Sequence, residues 1–203
     1  MAAVSETIVR EFFELHGFFV RQLRKYVTPG GREDEEIDFL VLNPKAEPGQ
    51  TAPAFVLDIT ELRRVARAVV VVKGWHTETF TPTRLAHTPE LYRFLESATI
   101  EAAGQAFGTT SGLLKILVVP ALPADRDARR QSIQVLKSKG VDGVIQFPTM
   151  LADLIDKVEI NRNYQKSDLL QVIRILKNYD FFQDSQLELF RARPKRRRKR
   201  TRR

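Results

Sequence analysis

Two charged side chains fall within apolar strand-like segments of this 203-residue chain. Asp38 lies in the segment 36–42, and Lys73 directly follows the apolar run 68–72. A charge in such surroundings costs free energy unless another group pairs with it. If the two segments form adjacent strands, Asp38 and Lys73 meet at one end of a sheet, and Glu6 approaches them from the first helix.

Two carboxylates beside a lysine are suited to metal-assisted hydrolysis of a phosphodiester. Asp38 and Glu6 would hold Mg²⁺ or Mn²⁺ through hard oxygen ligands, and Lys73 would orient the attacking water or offset phosphate charge. We therefore predict these three as catalytic residues, with Asp38 and Glu6 as metal ligands. Structural alternatives remain open for each. Glu6 suits the first turn of a helix, Asp38 could pair with an arginine, and Lys73 could be a solvated strand end.

The surrounding pattern predicts the elements that would bring these residues together. Alternating residues predict strands at 18–27 and 36–42, and the β-branched run 68–73 predicts a central strand covered on both faces. Further strands are predicted at 113–120 and 141–147, and the segment 55–59 stays unassigned. Helices are predicted at 5–16, 89–107, 125–139, 149–158 and 167–178, with Ser5, Thr149 and Ser167 as N-caps.

This order of elements predicts a mixed sheet. The short turn at 28–31 permits an antiparallel opening hairpin, whereas the later strand-helix-strand units require parallel crossovers. The expected fold class is an α/β sandwich around a central mixed sheet.

Several stretches resemble the PD-(D/E)xK restriction-endonuclease-like superfamily, in particular its type IV restriction endonuclease and Holliday-junction-resolvase-like branches. Glu6 precedes the helix-ending Gly17 by eleven residues. EEIDFLVLNP resembles the second core strand, VVVVKGWH resembles the third, and KILVVPALPADRDARRQSIQVLKSKGVDGVIQFPTMLADLI resembles the closing elements. The resemblance covers residues 5–157. It implies a restriction-endonuclease-like sandwich and a Mg²⁺-dependent nuclease, with Asp38 as the metal-binding aspartate and Lys73 as the motif lysine.

One position departs from that family pattern. Two residues before the lysine, where the family carries an acid or an amide, this chain has Val71, which cannot ligate a metal. Glu36, Asp58 and Glu78 are candidate replacements. Two interpretations stay open: a nuclease with an unusual site, or a non-catalytic DNA- or RNA-binding or scaffold module with a degenerate nuclease fold.

Trp75 and His76 follow the lysine and are candidates for a nucleic-acid groove, where an aromatic face stacks on a base or sugar. Packing in the protein interior is the alternative for Trp75, the only tryptophan. The three histidines lack metal-ligand spacing, and glycine-rich nucleotide loops and a GxSxG nucleophile motif are absent from the sequence.

The net charge of +8 comes from the C-terminus. Eight of the 33 basic residues lie in 195–203, which leaves 25 basic and 25 acidic residues in 1–194. Such a basic run favours polyanions, with nuclear import and an anionic membrane surface as rival explanations. The predicted nucleic-acid-binding residues of the tail are Lys195, Arg196, Arg197, Arg198, Lys199, Arg200, Arg202 and Arg203.

The composition also bounds the organisation and location of the protein. We expect a nuclease-like domain at 1–160, a helical extension at 161–190 and a disordered basic tail at 191–203. The chain has no cysteine, which excludes disulfides, thiolate zinc sites and a cysteine nucleophile. No apolar run approaches the roughly 20 residues that span a bilayer, and no secretory signal is evident.

The expected location is therefore cytoplasmic or nucleoid-associated, or nuclear in a eukaryote. The expected partner is nucleic acid, with DNA favoured over RNA. The apolar helix 167–178 is a candidate surface for a second copy of the chain or another protein.

Overall fold

A computed structural model describes residues 2–23, 37–46 and 52–182 of the chain. The chain divides into two compact units, residues 1–154 and 155–203. The predicted turn at 28–31, Glu36 and the basic tail lie outside the described residues.

The first unit contains a five-stranded mixed sheet with strand order β1-β2-β3-β4-β5. Both pairings of β2 are antiparallel, and both pairings of β4 are parallel. The predicted α/β class, the antiparallel opening pair and the parallel later strands are therefore confirmed. The strands are β1 (Phe19–Gln22), β2 (Phe39–Leu42), β3 (Arg67–Val72), β4 (Leu113–Val119) and β5 (Gly143–Gln146).

Helices connect these strands and cover the sheet. A 3₁₀ helix at Pro89–Leu95 lies between the third and fourth α-helices. The α-helices of the described residues are α1 (Ala2–Leu15), α2 (Ile59–Leu62), α3 (Pro82–His87), α4 (Ser97–Phe107), α5 (Arg126–Ser138), α6 (Phe147–Lys157) and α7 (Asp168–Asn178).

Strand β3 is the central strand of the sheet, as its β-branched sequence predicts. Successive side chains of a strand point to opposite faces. Val69 and Val71 join an apolar cluster that includes Leu117 from β4 and helical residues from α3 to α5. Val70 is also buried and points to the opposite face. Helix α1 contacts β1 and β3.

Three local predictions were wrong. The helix expected at 89–107 is interrupted at Glu96, whose extended backbone separates the 3₁₀ helix from α4. Phe94 of the 3₁₀ helix and Ala103 of α4 both pack into the same apolar cluster. Ser5 and Thr149 lie inside α1 and α6 rather than at their N-caps.

Helix α3 was not predicted, although its start carries a helix signal. The Thr81 hydroxyl accepts a hydrogen bond from the Arg84 N–H at 3.3 Å, and Pro82 occupies the first turn. A threonine cap followed by proline is a typical helix start. The shortness of the helix hides the apolar periodicity that would reveal it.

The second unit contains α7, which begins at its predicted cap. The Ser167 hydroxyl accepts from the Leu170 N–H at 3.2 Å. The Lys177 ammonium donates to the carbonyls of Ile155 and Val158, each at 2.7 Å, and so satisfies acceptors near the C-terminal end of α6. Val172, Ile175 and Tyr179 of this unit are exposed.

Among the described residues, every helix is too short or too polar to cross a bilayer.

The packing of α4 generates a stability prediction. A Cβ at Gly104 would overlap the Thr110 methyl group. We expect Gly104→Ala to lower the free energy of unfolding by about 1–2 kcal/mol, because overpacking outweighs the gain of about 1 kcal/mol in helix propensity. Urea denaturation measures the change.

Thr110→Ala supplies the matched control for this substitution. The double variant should recover most of the loss, which gives a large coupling term in a double-mutant cycle. An equal loss in the Gly104→Ala single variant and the double variant would contradict the proposed overlap.

Candidate functional site

The candidate site lies at the C-terminal end of β3. This strand pairs antiparallel with β2 on one side and parallel with β4 on the other. Beyond its last residue, the Lys73 N–H still donates to the Val118 carbonyl at 3.0 Å. Asp38 immediately precedes β2, so the antiparallel pairing places Asp38 and Lys73 at the same end of neighbouring strands, as the sequence predicts.

Asp38 is buried, with 3% of its surface exposed, and takes part in the backbone pairing. Its N–H donates to the Val70 carbonyl at 3.1 Å, and its Oδ2 accepts from the Val72 N–H at 2.6 Å. The carboxylate thus satisfies a backbone donor of β3 beyond the last β2–β3 residue pair. The hydrogen bond from this backbone amide therefore offsets part of the free-energy cost of burying the Asp38 carboxylate.

An open cleft of about 550 Å³ lies beside this strand end. It brings together Glu6, Lys73, Trp75 and His76, four of the predicted site residues. Asp38 is linked to the cleft wall through its hydrogen bond to Val72. Among the described residues, the lining comes from α1, the end of β3, the segment after it and one α3 side chain, namely Ser5, Glu6, Val72, Lys73, Gly74, Trp75, His76, Thr77, Glu78 and Arg84.

Glu6 lies on α1 and contacts the neighbouring edge of the sheet. Its Oε2 accepts a hydrogen bond from the Gln22 side-chain amide at 2.7 Å. Gln22 is the last residue of β1. The interaction holds the carboxylate toward β1 while the residue lines the cleft.

Arg84 and Glu78 form an ion pair in the cleft that sequence reasoning missed. The Arg84 Nη1 lies 2.5 Å from the Glu78 Oε2. The guanidinium carbon lies 5.4 Å from the centre of the Trp75 ring, within the range of a cation–π interaction. The Arg84 Nε is buried and, within the part of the chain that the structure describes, has no acceptor.

The Trp75 ring packs against the protein as well as lining the cleft. It stacks at 26° on Phe80, with the ring centres 5.8 Å apart, and 38% of the residue remains exposed. The contact with Phe80 shows that part of the ring packs against the protein, and the role of its exposed part in a nucleic-acid groove stays a prediction. Because the ring lines the cleft, its fluorescence is expected to respond to a ligand there.

Ser5 and His76 meet in the wall of the cleft. The Ser5 Oγ lies 2.8 Å from the His76 Nε2. The His76 and Phe147 rings pack in a T-shaped arrangement, with ring centres 4.5 Å apart and an angle of 78° between the ring planes. The two residues are 71 positions apart in the sequence, so local sequence signals could not have paired them.

The described side chains do not fit the three-ligand metal centre that the family resemblance implies. Val71, at the position of the missing ligand, is 1% exposed and packs in the apolar cluster. Glu6 and Asp38 each accept a hydrogen bond from the protein. Within the described ranges, there is no group of three or more histidine, aspartate or glutamate residues able to hold a metal ion.

Of the candidate replacement acids, the two that the structure describes are engaged by other groups of the protein. Asp58 is the N-cap of α2, and its Oδ1 accepts from the backbone amides of Thr60 and Glu61. The Thr60 hydroxyl and these amides hold the pKa of Asp58 below its ordinary value. Glu78 is paired with Arg84, and Glu36 lies outside the described residues.

Comparisons of the chain with protein-family models, with curated proteins and with solved structures gave no match. The functional argument therefore depends on the cleft and its side chains.

The buried Asp38 generates a prediction about stability. Asp38→Ala should lower the free energy of unfolding by about 1.5–3 kcal/mol, because the Val72 N–H loses a charged acceptor. Asp38→Asn should cost less, since the amide oxygen can still accept. Chemical denaturation of the three proteins measures the difference.

Asp142→Ala is a suitable control for the Asp38 variants. The Asp142 carboxylate also accepts from a backbone amide, that of Lys115 at 2.9 Å, but its side chain is partly exposed. Water can replace that acceptor, so we expect a smaller loss. A loss at Asp38 no larger than the loss at Asp142 would contradict the structural role of Asp38.

Proposed function

We propose that the protein binds nucleic acid, with the phosphate backbone entering the cleft at the end of β3 of a restriction-endonuclease-like α/β core. One observation carries this proposal: residues predicted from distant parts of the sequence, Glu6, Lys73, Trp75 and His76, line a single open cleft. Two of the stretches that carry the family resemblance supply these residues, namely the first helix with Glu6 and the segment VVVVKGWH. Residues that were predicted from the sequence as parts of one site thus lie on one surface, and this supports the proposal.

The charges in the cleft suit a phosphate contact. Lys73 and Arg84 supply cations, and a phosphate oxygen would give the buried Arg84 Nε an acceptor. Glu6 and Glu78 oppose these charges, so the cleft by itself offers few net favourable contacts. Strong binding therefore requires the basic residues 195–203, which supply affinity that is independent of nucleotide sequence.

Metal-dependent phosphodiester hydrolysis is the second candidate. The observation in its favour is that Asp38 and Lys73 occupy the same end of adjacent strands, with Glu6 lining the cleft beside them. The incomplete donor set makes binding the better-supported function. Incubating single-stranded, duplex and branched DNA with Mg²⁺ or Mn²⁺ tests the second candidate, and cleavage that survives both Asp38→Ala and Lys73→Ala would contradict this site.

A non-catalytic scaffold or interaction module is the alternative from a different class. Val172, Ile175 and Tyr179 present exposed apolar surface at helical spacing on and just after α7. A second copy of the chain or another protein would use this surface. The proposed location is cytoplasmic or nucleoid-associated, or nuclear in a eukaryote.

The cleft can be tested through Trp75, because the chain has no other tryptophan. We expect oligonucleotides to change its fluorescence. Lys73→Gln should weaken binding and reduce the magnitude of the log–log salt slope by about 0.7–0.9, the value for one lost phosphate contact.

Lys45→Gln is the matched control for Lys73→Gln. Lys45 is exposed in the turn after β2, at the opposite end of the sheet, and the substitution removes the same charge. Equal salt slopes and affinities for the two variants would refute phosphate binding by Lys73.

The tail is tested by deletion of residues 195–203. If the tail makes six to eight phosphate contacts with duplex DNA, its removal should flatten the log–log salt slope by about 5–7. Binding that remains should still change Trp75 fluorescence. A salt slope that stays the same after the deletion would show that the tail does not contact phosphates.

A further inference from the structure

The hydrogen bond between Ser5 and His76 gives the cleft a positioned imidazole. The 2.8 Å contact engages the His76 Nε2, and the Phe147 ring packs against the imidazole in a T-shaped arrangement. Within the described residues, the His76 Nδ1 has no hydrogen-bond partner. If the Nε2–H donates to the Ser5 Oγ, the lone pair of Nδ1 is available to accept a proton from a ligand.

Gly74 is the residue that makes this arrangement possible. A Cβ built on Gly74 would lie 2.5 Å from the Ser5 Oγ and 3.1 Å from the Ser5 Cβ. A side chain there would displace the hydroxyl that holds the imidazole. The segment Lys73-Gly74-Trp75-His76 therefore combines a cation, a gap for the serine, an aromatic ring and a proton acceptor within four residues.

The carboxylates of the cleft are less suited to accept a proton. The Glu6 Oε2 is engaged by Gln22, and the Glu78 Oε2 is engaged by Arg84. His76, whose imidazole is held by Ser5, is therefore the group that we consider as the base. General base catalysis by such a group typically accelerates a reaction by about 10²–10⁴-fold.

A base in this cleft needs a nucleophile to activate. Within the described residues, no group of three or more histidine, aspartate or glutamate side chains would hold a metal ion and its bound water. An attacking group that belongs to the substrate avoids this requirement, since an intramolecular group reaches effective concentrations of about 10⁵–10⁸ M. The ribose 2′-hydroxyl of RNA is such a group, and DNA lacks it.

We propose that the cleft cleaves single-stranded RNA without a metal ion, with His76 as the general base and Ser5 as its positioning residue. The His76 Nδ1 takes the proton of a ribose 2′-hydroxyl, and the 2′-oxygen forms a bond to the adjacent phosphorus. The bond between phosphorus and the 5′-oxygen breaks. The leaving oxygen takes a proton from water, and the resulting hydroxide takes the proton from His76.

The products are a 2′,3′-cyclic phosphate and a 5′-hydroxyl end, so atoms and charge balance with no oxidant or co-reactant. Lys73 and Arg84 line the same cleft, where their charges would stabilise the additional negative charge that develops on the phosphate oxygens. This inference depends on the proposed binding of nucleic acid in the cleft. It goes further by naming RNA as the substrate class and the 2′-hydroxyl as the nucleophile.

The test uses the full-length protein in excess EDTA with three oligonucleotides of one sequence: RNA, DNA and 2′-O-methyl RNA. We expect only the RNA to be cut, with a cyclic phosphate on the 5′ fragment, identified by mass spectrometry. Cleavage of the DNA or the 2′-O-methyl RNA in EDTA would overturn the mechanism.

Variants of the full-length protein test the residue roles. His76→Ala should lower the cleavage rate by about 10²–10⁴-fold, and added imidazole should restore part of it. His87→Ala is the matched control, because His87 is exposed at the end of α3 and contacts the Thr83 carbonyl. A rate equal to wild type in His76→Ala would overturn the assignment of the base.

Ser5→Ala and Gly74→Ala test the positioning of the imidazole. Ser5→Ala should lower kcat while leaving the RNA affinity, measured by Trp75 fluorescence, unchanged. Gly74→Ala should lower kcat in the same way, and circular dichroism establishes that each variant is folded. If Ser5→Ala leaves kcat unchanged, Ser5 does not position His76.

Binding measured through Trp75 distinguishes failure of this inference from failure of the proposed function. RNA that binds in the cleft but stays intact in EDTA would overturn the cleavage mechanism and leave nucleic-acid binding standing. RNA and DNA that both fail to change Trp75 fluorescence, and fail to bind by fluorescence anisotropy, would overturn both.

Discussion

The structure of the site depends on how the sheet ends at the C-terminus of β3. This strand has an antiparallel neighbour on one side and a parallel neighbour on the other, and both ladders must leave no buried amide without an acceptor. The Asp38 carboxylate accepts from Val72, and the Val118 carbonyl accepts from Lys73. These two bonds hold the chain in place up to Lys73, and the residues that follow line the cleft.

Helix α1 forms the other wall of the cleft, and its position depends on contacts at both of its ends. Near its start, Ser5 occupies the space that Gly74 leaves open. After its last turn, the His16 Nε2 lies 2.7 Å from the Asp153 Oδ2 in a buried pair. Removing one partner of such a pair is typically costly because the other is left buried. The wall that carries Glu6 is thus fixed by two interactions that are distant in sequence.

Positive charge is distributed unevenly between the cleft and the C-terminal tail. The cleft has cations and acids in similar number, and residues 1–194 are neutral as a whole, whereas the excess positive charge lies in 195–203. In our proposal, the tail supplies electrostatic attraction to the backbone and the cleft supplies orientation. This arrangement is consistent with a site that positions a phosphodiester between a few fixed groups.

The sequence by itself determined the elements whose signals are local. The β-branched run predicted the central β3, the Ser167 cap marked the start of α7, and the position of Asp38 in an apolar strand segment predicted that it needs a partner. Only the tertiary structure decided which groups meet. The hydrogen bond from Val72 to Asp38, the Ser5–His76 pair and the Arg84–Glu78–Trp75 group depend on how helices pack on the sheet. Residues 71 positions apart become neighbours only when α1 packs on the sheet. Local secondary-structure propensity does not predict that packing.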